Sequence, residues 1–259
     1  MTAVTRGELP GRSQRLLRHL LFALVVFGAW EIGGRLTNPI LLPPFSSVAV
    51  AFAEILTDGS LIEALAESMR LLFIGFGLSA IAAFVIGVII GRYRAIDQML
   101  SPFINALYAT PDVALVPLIL VWFGFGLPGR IVVVFLAAFF AILYNVYAGV
   151  KDAPKDLIEV SRSFGVTSEV GMLRAVVLPS AVPFIMAGLR LGIGRAVVGM
   201  AIAEVFLRLG GIGSLIMGYG ASFRTDFLIA SILSLPLLGI ALTKIFARIE
   251  HRFEYWRTV

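Results

Sequence analysis

Four stretches of this 259-residue chain run for 17 to 21 residues without one charged side chain: 71–91, 113–129, 131–150 and 227–243. A helix rises about 1.5 Å per residue, so roughly 20 apolar residues cross a hydrocarbon core of about 30 Å. Four such runs make lipid the solvent for most of the chain. Two further segments are long enough but carry charge. Residues 20–36 hold Glu31 and Arg35 near their end, and residues 181–207 hold Arg190, Arg195 and Glu204. The 113–129 run extends back towards Met99 past Asp112, which gives six spans in all. Composition agrees: 59% of residues are hydrophobic and 14% charged, against about 45–50% and about 25% in soluble domains. With no cysteine, thiol chemistry and disulfide scaffolds have no raw material, and two histidines leave little room for a His-based metal centre. The expected class is an all-α membrane protein.

Basic residues set the orientation. With the N-terminus in the cytoplasm, the inner segments hold fourteen Arg and Lys, including Arg6, Arg92, Lys151, Lys244 and Arg257, and the outer ones hold Arg35, Arg130, Arg208 and Arg224. That asymmetry places both termini in the cytoplasm. It also explains the net charge of +5 by topology, with no nucleic-acid partner. Arg6, Arg12, Arg15 and Arg18 ahead of an apolar stretch fit the start of a signal peptide. The chain then continues into Glu31, Gly33, Gly34 and Arg35 without a small-x-small cleavage site, so an uncleaved first span is expected. In the outer loop 37–67, Ser46 or Ser47 is expected to cap a short helix with Val48, Phe52 and Ile55 on one face, lying along the outer interface.

The longest inner loop, 151–179, does not belong in lipid. Pro154, with Asp152 and Asp156 nearby, suits a helix start. Leu157, Val160 and Phe164 fall at i, i+3 and i+7 beside Glu159 and Arg162, a narrow apolar stripe. Gly165 is placed to end that helix in a left-handed conformation. Thr167 or Ser168 begins a second short helix with Glu169 in its first turn, and Pro179 marks entry to the fifth span. A half-apolar inner loop either folds back on its own bundle or docks in a groove on a cytoplasmic partner.

The order Glu159-Val160-Ser161, Gly165, Leu178-Pro179 resembles the "EAA" loop of permease subunits of binding-protein-dependent ABC importers. Val160 and Ser161 stand where the pattern has two alanines, and twelve residues separate Gly165 from Leu178 where eleven are usual. Thr110-Pro111, Pro117-Leu118, Trp122-Phe123-Gly124, Gly188-Leu189-Arg190, Gly194-Arg195-Ala196, Ala203-Glu204 and Gly210-Gly211-Ile212-Gly213 are similar to the nitrate/sulfonate/taurine-type subfamily over about residues 20–250. Asp112 departs from it, standing where an uncharged residue is usual. The resemblance implies a type I ABC importer permease fold in the bacterial cytoplasmic (inner) membrane: tails 1–19 and 251–259, and a transmembrane domain 20–250 with coupling loop 151–179. It implies a pore of two copies, two ATPase subunits, an extracytoplasmic solute-binding protein, and no catalysis by this chain, with ATP and Mg held by the ATPase. Glu159, Ser161 and Gly165 are motif positions; Val160, Arg162 and Phe164 join them from the helix reading as the surface coupled to the ATPase.

Charges inside a span cost about 2.5–3.5 kcal/mol on insertion scales and face the bundle interior or water. Asp112, between Pro111 and Pro117, together with Arg195 and Glu204, forms the candidate translocation path, and Arg195 suits an anionic solute. Arg190 is expected to snorkel to the inner interface. Gly188 with Gly192, and Gly87 with Gly91, are small-xxx-small pairs for close helix contact. Gly210–Gly213 lacks the Lys-Ser/Thr of a phosphate loop and reads as a tight turn into a short re-entrant or interfacial stretch, 215–223. No set of nucleophile, base and orienting acid can be assembled. A stand-alone secondary transporter or channel is the alternative, and it would call for inverted repeats and coupling carboxylates.

Overall fold

The computed structural model describes residues 12–207 and 209–253. Arg6, Arg208 and Arg257 of the charge count, and most of both expected tails, lie outside these residues. All regular structure among the described residues is helical: α1 Arg12–Leu36, α2 Phe45–Thr57, α3 Ser60–Arg92, α4 Arg94–Ala109, α5 Asp112–Phe123, α6 Leu127–Lys151, α7 Lys155–Ser163, α8 Glu169–Met172, a π-turn Leu173–Val177, α9 Leu178–Leu207, α10 Gly211–Ala221 and α11 Thr225–Phe253. Five helical runs are long and apolar enough to cross a membrane, and six if the bent pair α4 and α5 counts as one.

The core is a three-helix packing of α3, α6 and α9. Leu72 and Ala83 of α3, Val134, Ala138 and Ile142 of α6, and Ile193, Ala196 and Met200 of α9 are buried together. Lipid tails are as apolar as leucine, so close packing must hold membrane helices together where the hydrophobic effect cannot. Glycines permit it here. A Cβ added at Gly87 would sit 2.9 Å from Val146 Cβ, one at Gly192 2.5 Å from Ile142 Cγ1, and one at Gly199 2.6 Å from Ala137 Cβ. The small-xxx-small pairs Gly87/Gly91 and Gly188/Gly192 therefore lie on the seams that α6 makes with α3 and with α9.

Two expectations change and one holds. The third span is broken beside its prolines: α4 and α5 meet at 104°. Pro111 disfavours helical backbone at the residue before it, and Thr110 is extended at φ −74°, ψ 132°. The short helix α2 is not capped by a serine. Pro44 occupies the N-cap, while the Ser46 N–H and hydroxyl both donate to Glu31 at 2.9 Å; a carboxylate is the stronger acceptor. The buried face of α2, Val48, Ala51 and Ile55, packs on Leu61, Phe227 and Ala230, so it rests on protein. Finally, α3 begins at Ser60, eleven residues before the uncharged run. Asp58 accepts the Ser60 N–H at 2.8 Å, and the Ser60 hydrogen bonds hold its carboxyl below the usual range.

Candidate coupling loop and buried charge cluster

The 151–179 loop is built as two helical pieces around one glycine. The first, α7, ends in a Schellman arrangement: Val166 N–H donates to Ser161 O at 3.0 Å and Gly165 N–H to Arg162 O at 3.0 Å. Gly165 is left-handed at φ +87°, a conformation that costs other L-residues about 1–2 kcal/mol. Ser161 thus supplies the carbonyl that fixes the turn. Ser168 caps α8, its hydroxyl accepting the Gly171 N–H at 3.1 Å. Ile158 and Val166 pack against the core cluster and anchor the loop. Leu157 and Val160 are half exposed, and Phe164 is 86% exposed. Glu159 and Arg162 are also exposed. Five of the six predicted residues are thus exposed and Ser161 is half-buried, with the apolar stripe of the helix uncovered.

The second piece does not stop at Pro179. From Glu169 to Leu207 the chain is one helical run, in which the π-turn Leu173–Val177 links α8 to α9. A π-turn holds one residue more than the α-turn it replaces. It gives the twelfth residue between Gly165 and Leu178 a place without rotating either flank. Side-chain ties lash this end of the bundle together. Arg92 at the end of α3 pairs with Glu169 of α8, Arg190 of α9 pairs with Glu250 of α11 at 3.1 Å, and Lys151, Tyr147 and Asp97 join α6 to α4. In that last set Lys151 Nζ donates to Tyr147 Oη, and Tyr147 Oη to Asp97 Oδ1, both at 2.6 Å.

The intramembrane charges do not form one group. Arg195 is exposed on α9. Asp112 opens α5, and its side chain lies outside the described residues. Glu204 is fully buried near the opposite end of α9, about 39 Å along the helix from Leu178. It meets Arg130 of α6 with Oε1 3.7 Å from Nη2. Arg130, itself only 5% exposed, also reaches Glu67 of α3 at 3.4 Å. The two carboxylates take the glycine turn as well: Gly211 N–H donates to Glu67 Oε2 and Gly213 N–H to Glu204 Oε2, both at 3.0 Å, while Ile212 N–H donates to Ser68 Oγ at 2.9 Å. Gly210 and Gly211 are left-handed at φ +71° and +70°. A Cβ on them would fall 2.0 Å from Glu67 Oε2 and 2.2 Å from Glu204 Oε1. Sequence reasoning counted Arg130 as an outer-loop cation and did not single out Glu67. The available signal was a lone arginine dividing 37 uncharged positions, 113–129 and 131–150, in a chain whose Glu204 needs a cation.

A bundle of helices long and apolar enough to cross a membrane, with an uncovered amphipathic loop at one end, fits a multi-pass membrane protein. The family model for the binding-protein-dependent transport system inner membrane component matches residues 83–255, and the chain belongs to that family. An ABC transporter permease protein of Methanocaldococcus jannaschii is 35% identical over 88% of this chain and 87% of its own length. The aliphatic sulfonates transport permease protein SsuC of Bacillus subtilis is 30% identical over 96% and 91%. The taurine transport system permease protein TauC of Escherichia coli is 27% identical over 86% and 82%. Among solved structures, the inward-facing MetNI methionine ABC transporter superposes with a TM-score of 0.65 at 21% identity, covering 74% of this chain and 95% of that one, which supports the fold. The chain is the permease subunit of an ABC importer, a multi-pass protein of the inner membrane and not a stand-alone carrier or channel.

Proposed function

We propose that this permease works as a pair of copies, takes its solute from an extracytoplasmic binding protein, and is driven through the α7–α8 loop by two ATPase subunits that hold ATP and Mg. Both termini then face the cytoplasm. The carrying observation is the exposed stripe Leu157, Val160 and Phe164 on a loop whose other face is fixed to the core by Ile158 and Val166. An amphipathic helix with one anchored face and one bare apolar face fits the helix-in-groove mode. Glu159, Val160, Ser161, Arg162, Phe164 and Gly165 form the coupling surface. Because α8 runs on into α9, a displacement of the loop passes directly to a core helix. Glu159→Ala is expected to lower solute uptake at least tenfold, with insertion unchanged and ATP hydrolysis either uncoupled or lost with the ATPase. Uptake and hydrolysis assays on proteoliposomes check this, and normal uptake removes Glu159 from the coupling surface.

The solute we propose is a small anion of the sulfonate or taurine kind, with nitrate next and pyrimidine-type precursors after it. The names of the relatives favour sulfonates, and one relative is a formylaminopyrimidine permease. Arg195, exposed on α9 between Leu191 and Val198, puts a cation on the face a second copy would meet across the path; Asp112 completes the proposed path set, while Glu204, fully buried against Arg130 and Gly213, does not line it. Arg195→Gln is expected to reduce uptake of an anionic solute about tenfold while the assembled complex keeps its basal ATP hydrolysis. Unchanged uptake would take Arg195 out of the path.

A further inference from the structure

The cluster at the far end of α9 goes beyond this reading, though it rests on ATP-driven alternation of the permease. Glu67, Arg130 and Glu204 come from three different core helices, α3, α6 and α9, and each carboxylate is shared between Arg130 and an N–H of the turn that starts α10. The arrangement is a closed circuit. Its fourth member, α10, is 11 residues long, about 16 Å, too short to span, and it lies at the end of the bundle opposite the coupling loop. Its first three residues, Gly211, Ile212 and Gly213, are buried in the circuit, while Gly218 and Ala221 on the same helix are exposed. Only glycine fits at 210 and 211, where any Cβ would overlap the carboxylate oxygens.

We infer that this circuit is a latch that makes α10 move with the α3–α6–α9 core, so that Glu204, Arg130 and Glu67 are positioning residues for a gate at the outer mouth. Two features suit a latch better than a plain structural tie. Arg130 Nε and Nη2 and Glu204 Oε1 are buried without a hydrogen-bond partner among the described residues. The two Arg130 contacts, 3.4 and 3.7 Å, are well beyond the 2.7–2.9 Å of a closed charge-assisted bond. The guanidinium therefore has both the slack and the spare donors to adopt a second, bidentate arrangement when its helices shift. In addition, α8, the π-turn and α9 are one helical run, so the same element that carries the coupling loop carries Glu204 at its other end.

The chain has no cysteine, and a Cβ at Gly218 would meet nothing within 4 Å, so Gly218→Cys reports on α10 with little disturbance. The transporter, assembled with its ATPase subunits in lipid vesicles, is labelled from the outside with a membrane-impermeant maleimide, with and without ATP-vanadate. A latched α10 gives a labelling rate that changes about fivefold or more between the two states, the lower end of ordinary coupling between sites. Adding Glu204→Gln or Glu67→Gln is expected to reduce that change below about twofold while ATP hydrolysis continues. Glu67 is half exposed, so its variant keeps the test open if Glu204→Gln does not assemble. A coupling-loop failure differs in kind: Glu159→Ala leaves hydrolysis unlinked to labelling with the latch intact, or loses the ATPase altogether. Variants that assemble and keep the full nucleotide-dependent change overturn the latch, as does a parent transporter whose labelling ignores nucleotide.

Discussion

Arg130→Ala is expected to destabilise the permease by about 3–5 kcal/mol, the usual cost of stranding a buried charge. Glu204 is fully buried, and the Gly213 N–H donates to its other oxygen. With the guanidinium gone, that carboxylate keeps its charge without a counter-ion, or takes up a proton and weakens its hold on the turn. Glu67 suffers less, being half exposed. The expected readout is loss of assembled protein in detergent-solubilised membranes, or a melting temperature several degrees lower. The double variant Arg130→Met with Glu204→Met should recover much of the loss, because replacing a buried ion pair by apolar side chains is often neutral or better. A single variant as stable as the parent would mean that the pair is solvated and carries no such role.

Phe164→Ala should leave the isolated permease untouched and weaken its hold on the ATPase. At 86% exposure the ring makes almost no contact within its own chain, and surface changes of this kind usually stay within about 0.5 kcal/mol. In a groove it would be the largest apolar anchor on the loop, and aromatic anchors at the centre of an interface are worth about 2 kcal/mol or more, close to thirtyfold in affinity. Titration of ATPase subunits onto reconstituted permease, beside a thermal melt of the permease alone, separates the two effects. An unchanged affinity would leave the stripe without an anchor.

The sequence made the membrane class, the spans and the helix–glycine–helix form of the 151–179 loop legible because each rests on local chemistry. Uncharged runs, a helical stripe and a glycine at the end of it need no knowledge of distant residues. Gly165 is the clearest case, since its left-handed turn follows from its position alone. The break at Pro111 was half legible: proline interrupts hydrogen bonding wherever it falls, but the 104° bend depends on how α4 and α5 pack. The charge cluster was not legible. Glu67, Arg130, Glu204 and Gly211 are brought together from four helices across as many as 144 positions, and each has an innocent local reading as a loop charge, an interfacial cation or a turn. The Ser46 hydroxyl was misassigned for the same reason, because its acceptor, Glu31, lies 15 residues back.

Placement of the α7–α8 loop tests the account most directly. Val160→Cys in this otherwise cysteine-free chain puts a thiol in the middle of the exposed stripe. Intact cells treated with a membrane-impermeant maleimide should leave it unlabelled, permeabilised cells should label it quickly, and bound ATPase should slow that labelling at least tenfold. A thiol that reacts in intact cells, or one that reacts from the inside at the same rate with and without the ATPase, would contradict the account.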